Sequence, residues 1–72
     1  MSFGICNLSI VPMRREGSNT SEMVSQVLFG EHFKILEKQG HWSKIQLHFD
    51  HYEGYIDNKQ FEVITEDEYH RL

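Results

Sequence analysis

The sequence predicts an all-β domain, a small barrel of five or six short strands with a short C-terminal helix. Three observations predict it. Apolar residues recur with period two over most of the chain, the pattern of strands that bury one face. Turn residues break that pattern roughly every 8–12 residues. Nine aromatics and a single cysteine in 72 residues mean that large rings, not disulfides, must fill the core. Hydrophobic residues make up 39% of the chain, enough for a small packed core and too much for a disordered tail.

The elements follow in order. Gly4 to Met13 is β-prone through Ile5, Leu8, Ile10 and Val11, and Pro12 confines it to an edge or a strand end. Residues 14–22, rich in Ser, Asn, Gly and Thr, read as a polar loop. Met23 to Phe29 alternates as the next strand, and Gly30-Glu31 bends the chain. His32 to Lys38 is a strand with Phe33, Ile35 and Leu36. Gln39-Gly40-His41 is a hairpin turn in which Gly supplies a positive φ. Trp42 to Phe49 is the cleanest strand: Ile45, Leu47 and Phe49 on the core side, Trp42, Lys44, Gln46 and His48 on the other. Asp50 to Glu53 is a loop, Gly54 to Asp57 a short strand, Asn58 to Gln60 a helical turn, and Phe61 to Ile64 the last strand. Thr65-Glu66-Asp67-Glu68 is a capping box that starts a helix running to Leu72, its acidic first turn matched to the helix dipole. The chain thus divides into a barrel, residues 1–64, and the start of a helical linker, residues 65–72. With no Gly or Pro stop signal, the helix is expected to continue into a longer protein.

Composition excludes several function classes. One cysteine rules out a disulfide framework and a four-cysteine zinc site. No run reaches the roughly 20 apolar residues of a membrane-spanning helix, and residues 1–20 show no basic-then-apolar leader. The net charge of -4 argues against a nucleic-acid or anionic-lipid partner. Residues 1–52 are neutral overall, and residues 53–72 carry the whole excess of -4. Five histidines bring the domain toward neutrality near pH 6.

Several segments match a known family in order: Val11-Pro12-Met13-Arg14, Met23 to Glu31, Phe33 to Glu37, Gly40-His41-Trp42-Ser43-Lys44-Ile45 and Gly54-Tyr55-Ile56-Asp57. Over residues 5–64 the sequence resembles a bacterial SH3-like domain, the small barrel of cell-wall enzymes. Gly4-Ile5-Cys6-Asn7-Leu8-Ser9 and Tyr52 to Gln60 are similar to the N-terminal domain of NlpC-type cysteine peptidases of the γ-D-glutamyl-diamino acid endopeptidase kind. The resemblance implies a non-catalytic domain that packs beside the active site of a downstream peptidase domain. There it helps select peptidoglycan stem peptides with a free N-terminal L-Ala. It implies no cofactor, no catalytic residue in these 72 positions, and a periplasmic or cell-envelope location, with cytoplasmic murein recycling the alternative. Proteins of this family usually carry an export signal, and none is visible here.

Each candidate residue has a plainer alternative. Trp42 and Tyr55, aromatics on the polar side of their strands, suit a platform for a sugar or peptide, or equally a contact with the peptidase domain. Tyr52, Glu53 and Asp57 flank Gly54 and suit the α-amine of a peptide through charge-assisted hydrogen bonds, against ordinary solvated charge. Arg14 and Arg15 suit a stem-peptide carboxylate, though loop solvation is the commoner meaning. Cys6 lacks any local base and reads as a buried thiol. His48, Asp50, His51 and Glu53 are metal-ligand types, but strand period sends His48 and His51 to opposite sides.

The leading expectation is a peptidoglycan-recognition module that gates substrate for a murein endopeptidase. A structural spacer docked on its catalytic domain is the alternative. An adaptor binding proline-rich peptides ranks lower, because the 14–22 loop is mixed in charge rather than acidic, and a metal-binding protein comes last. A dimer of the isolated domain, or exchange of a strand, is left open.

Overall fold

In the computed structural model, which describes residues 2–71, seven strands pair antiparallel in one curved sheet. They are β1 (Ser2–Ile5), β2 (Ile10–Arg14), β3 (Met23–Leu28), β4 (His32–Gln39), β5 (Trp42–Leu47), β6 (Glu53–Asp57) and β7 (Glu62–Ile64). A 3-10 turn spans Asn58–Gln60 and a helix, α1, spans Glu66–Arg71. The spatial order is β3-β2-β6-β5-β4-β1-β7. This is the small all-β SH3-like fold that the sequence predicts.

The strand count exceeds the expected five or six because Gly4 to Met13 is two strands. β1 pairs with β4 and β7, whereas β2 pairs with β3 and β6. The chain changes partners through Cys6-Asn7-Leu8-Ser9, where the Cys6 amide donates to the Glu31 carbonyl (2.9 Å) and the Cys6 carbonyl accepts from Gly30 (2.9 Å). Pro12 sits in β2 without loss. The Leu28 amide donates to the Glu31 carboxylate (2.7 Å) and the Phe29 amide to the Ser9 carbonyl (3.3 Å). Alternation therefore turns residue 26, opposite Pro12, away from β2, so no ladder bond is asked of the proline there.

β5 shows the predicted alternation from Trp42 to Leu47, with Ser43, Ile45 and Leu47 buried. The strand ends at Leu47, two residues before the predicted end. The His51 amide closes on the Leu47 carbonyl (2.9 Å) with His51 at φ 61, and the turn throws Phe49 into solvent, 88% exposed. Phe49 is thus not a core residue. Leu36 lies at a register shift between Ile35 and Glu37 and is exposed. The Gly40 turn is as expected, with φ 61 and Gln39 paired to Trp42.

Val11, Met13, Val27, Phe33, Ile45 and Ile56 are fully buried on the inner face, each contributing about 1.5–3 kcal/mol by leaving water. Phe61 closes one end edge-on to Phe33, with centroids 5.3 Å apart. The one buried polar residue among those described, Ser43, donates its hydroxyl to Asn58 Oδ1. Asn58 in turn ties the 3-10 turn to the hairpin through the Gly40 and His41 carbonyls.

The capping box forms. The Thr65 amide donates to Glu68 Oε1 (2.8 Å) and the Glu68 amide to Thr65 Oγ1 (3.1 Å). The Thr65 amide first, and the Thr65 hydroxyl second, hold the Glu68 carboxyl below its ordinary range. The helix lies on the barrel: Tyr69 is 3% exposed and packs on Phe3, centroids 4.4 Å apart. The predicted helix end at Leu72 falls outside the described residues.

Candidate binding face

The outward side chains of β5 and β6 share one side of the sheet, and the register sets them in rows. Trp42 stands opposite Asp57, Lys44 opposite Tyr55, and Gln46 opposite Glu53. β2 extends the middle row, because Arg14 pairs with Tyr55 on its other side. Two residues along a strand span about 6.7 Å, and neighbouring strands lie about 4.8 Å apart. The face therefore alternates aromatic, cationic and acidic groups at fixed spacings.

Four of the five predicted site residues, Trp42, Glu53, Tyr55 and Asp57, come together here. Tyr52 does not stand in these rows. It precedes β6 in the turn, half-exposed, its amide donating to Asp50 Oδ1 (3.0 Å) and its carbonyl accepting from Leu47 (2.9 Å).

The members differ in freedom. Trp42 is half-buried because the 15–22 loop crosses it: a Cβ at Gly17 would come within 2.9 Å of the Trp42 Cβ and 3.0 Å of its Cγ. Asp57 is partly committed, since its Oδ1 accepts the Lys59 amide (2.9 Å) and caps the 3-10 turn. Glu53 meets Lys44 Nζ at 3.9 Å and Gln46 Nε2 at 3.2 Å. Both contacts are at the surface, worth about 0–1 kcal/mol, so a ligand displaces them at little cost.

Arg14 is a strand residue, not the loop residue the sequence suggested. It keeps the phase of Pro12, so it faces outward, and its Nη1 donates to the Ser21 carbonyl (3.2 Å) to anchor the loop. That phase was legible in the sequence. What hid it was the reading of residue 14 as the loop's first position. Arg15 is spent on Glu22 at 3.3 Å across the base of the loop.

Cys6 is buried, its thiol donating to the Leu8 carbonyl at 3.2 Å. His48 and His51 border one shallow cleft but are engaged differently. The His48 ring stacks on His32 with centroids 4.4 Å apart and bonds the Tyr69 hydroxyl at 2.9 Å, while His51 is exposed in its turn. Among the described residues no three His, Cys, Asp or Glu side chains converge as metal ligands.

A second feature lies at the far end of β5. Phe29, 64% exposed, and Phe49 flank an open apolar groove of about 340 Å³, floored by His32 and His48.

A small antiparallel barrel with an aromatic and charged outer face defines an SH3-like module. The sequence itself, over residues 13–61, matches the bacterial dipeptidyl-peptidase SH3 domain, and the chain belongs to that family. No curated protein matches the chain. The family is one of SH3-like accessory domains, which are not themselves catalytic.

Proposed function

We propose that the domain is the substrate-recognition module of an NlpC-type cell-wall endopeptidase, acting in the periplasm or cell envelope. It holds a murein stem peptide beside the catalytic domain and performs no bond cleavage itself. The observation that carries this reading is the shared outer face of Trp42, Glu53, Tyr55 and Asp57, inside the span that matches a dipeptidyl-peptidase SH3 domain. In this reading Tyr55 and the exposed part of Trp42 contact the peptide, Glu53 accepts from its α-ammonium, and Asp57, about 13 Å away at the other end of β6, meets a more distal polar group of the peptide. Tyr52 borders the same site from the turn. A charge-assisted hydrogen bond contributes about 1.5–3 kcal/mol when water is excluded, or roughly a tenfold or larger change in affinity.

Calorimetric titration with L-Ala-γ-D-Glu-diamino acid peptide tests the reading. Acetylating the peptide's amine and substituting Glu53→Gln should each weaken binding about tenfold. No binding by the chain, together with unchanged substrate preference in the full enzyme carrying Glu53→Gln and Tyr55→Ala, overturns it.

A second reading is favoured by the groove between Phe29 and Phe49. A monomer seldom leaves two such rings exposed side by side, and a structural spacer docked on its peptidase domain would cover them. Phe49→Ser should then weaken domain association and leave peptide binding intact.

A further inference from the structure

We propose that the stacked imidazoles of His32 and His48 form a pH-sensitive latch for α1, which holds the helix on the barrel while His32 is neutral and loosens it when His32 is protonated. The geometry sets this up. His32 opens β4 and His48 follows β5, and the His48 amide donates to the His32 carbonyl at 3.1 Å, so the two rings are fixed face to face. Tyr69 closes over both rings edge-on, with centroids 5.0 Å from His32 and 5.4 Å from His48, and its hydroxyl bonds His48 Nδ1. Tyr69 is the one buried residue of α1, so this contact, with Phe3 behind it, is the helix's anchor.

His32 Nε2 is buried and has no protein atom within hydrogen-bonding distance. A neutral ring tolerates this with its unpaired nitrogen. An imidazolium there presents a buried N–H and a full charge to a second imidazole, a cost relieved when Tyr69 moves off and water enters. Burial first and His48 second hold His32 below its ordinary value, while Glu31 pulls the other way. The remaining charged groups around the cluster are Lys34 on β4, His51 beyond β5 and His70 on α1. Of these, Lys34 carries the permanent positive charge. His70 is engaged by Glu66 at 3.6 Å, an exposed i,i+4 pair that strengthens as His70 is protonated. That one pair cannot hold six residues helical without packing, so α1 frays once Tyr69 leaves while the barrel core stays folded, and this separates the latch from general acid unfolding.

NMR of the 72-residue chain between about pH 8 and pH 5 reads the latch. The expected result is loss of Phe3–Tyr69 contacts and about a fivefold or greater rise in amide exchange over 66–71, corrected for intrinsic rates. The midpoint should follow the His32 titration, with the shifts of Val11, Ile45 and Ile56 unmoved. His32→Phe keeps an aromatic stack that takes no proton and should leave the helix docked throughout. A helix that stays docked while His32 titrates overturns the proposal. So does a His32→Phe chain that loosens with the wild-type midpoint.

Discussion

Gly54 is the point at which the binding face and the core constrain each other most tightly, and Gly54→Ala measures that constraint. Gly54 lies between Glu53 and Tyr55 on β6, and its missing side chain faces inward. A Cβ there would stand 2.5 Å from Met13 Cγ, 2.7 Å from its Sδ and 3.1 Å from the Arg14 carbonyl oxygen. Methionine normally yields to such a clash by changing rotamer. Met13 has 0% exposure and is enclosed by the core, so no rotamer leads outward. The backbone contact cannot relax without moving the Arg14–Tyr55 pairing that joins β2 to β6. Overpacking of this kind costs about 2 kcal/mol. In a domain of this size that lowers Tm by roughly 8–16 °C. Urea unfolding followed by Trp42 fluorescence and circular dichroism gives the number. Met13→Ala alone should cost about 2–5 kcal/mol by leaving a cavity, yet in that background Gly54→Ala should keep only the smaller cost of the Arg14 carbonyl contact, with a coupling energy of about 1–2 kcal/mol. A Gly54→Ala chain within about 0.5 kcal/mol of the parent, or strict additivity in the cycle, refutes the steric account.

Thr65→Ala removes the capping hydroxyl and should cost about 1 kcal/mol, read as a lower Tm and faster amide exchange in α1. Stability should also fall with pH in two separate windows. The folded-state value of His32 is depressed, so its contribution is complete above the unfolded value of about 6.5 and is lost as pH falls from there through the lowered one. Glu68, likewise depressed, contributes fully above the ordinary carboxyl value of 4.5 and loses that contribution as pH drops further. A Tm profile should show both phases, and Thr65→Ala, which removes the hydroxyl and keeps the amide bond, should weaken only the acid one. Cys6, 1% exposed, should react with a thiol reagent only as fast as the domain opens, so that added urea accelerates labelling in step with unfolding. Rapid labelling in water contradicts its placement.

The sequence was readable where one strand face is buried and the other is wet. Alternation from Trp42 to Leu47 identified both the core residues Ile45 and Leu47 and the outward Trp42 and Lys44, because a shift by one residue would bury a lysine. The capping box was readable because both of its bonds are local. What failed depended on partners distant in sequence. Gly4 to Met13 has uniform β propensity, and only the partner strands, β4 for its first part and β3 for its second, reveal the break. Phe49 continued the period and was assigned to the core, but a positive-φ histidine two residues on ended the strand first. Tyr69 went unnoticed because a single aromatic in a six-residue acidic helix gives no amphipathic stripe. Its partners Phe3, His32 and His48 lie 21 or more residues away.

The sheet order makes the outer face, where we propose recognition, a rigid one. β2, β6 and β5 are all interior strands, each bonded to a neighbour on both sides. The spacing of Arg14, Tyr55, Lys44, Trp42 and Asp57 is therefore fixed by backbone ladders and not by side-chain packing alone. A ligand on this face orders only rotamers, and two of those, Trp42 under the 15–22 loop and Asp57 at its cap, are already restricted. The edge strand β3 and the Phe29 and Phe49 rings lie outside this framework, so substitutions there should change association without moving the face. The acidic excess of the last twenty residues divides along the same line. Glu53 and Asp57 belong to the face, while Glu66, Asp67 and Glu68 form the first turn of α1, where the dipole and the Thr65 cap account for them. The net charge of -4 is thus largely a property of the helix start, and the face itself, with Arg14 and Lys44 against Glu53 and Asp57, is balanced. A balanced face fits a zwitterionic peptide better than a polyanion, and it keeps that balance when α1 is loosened.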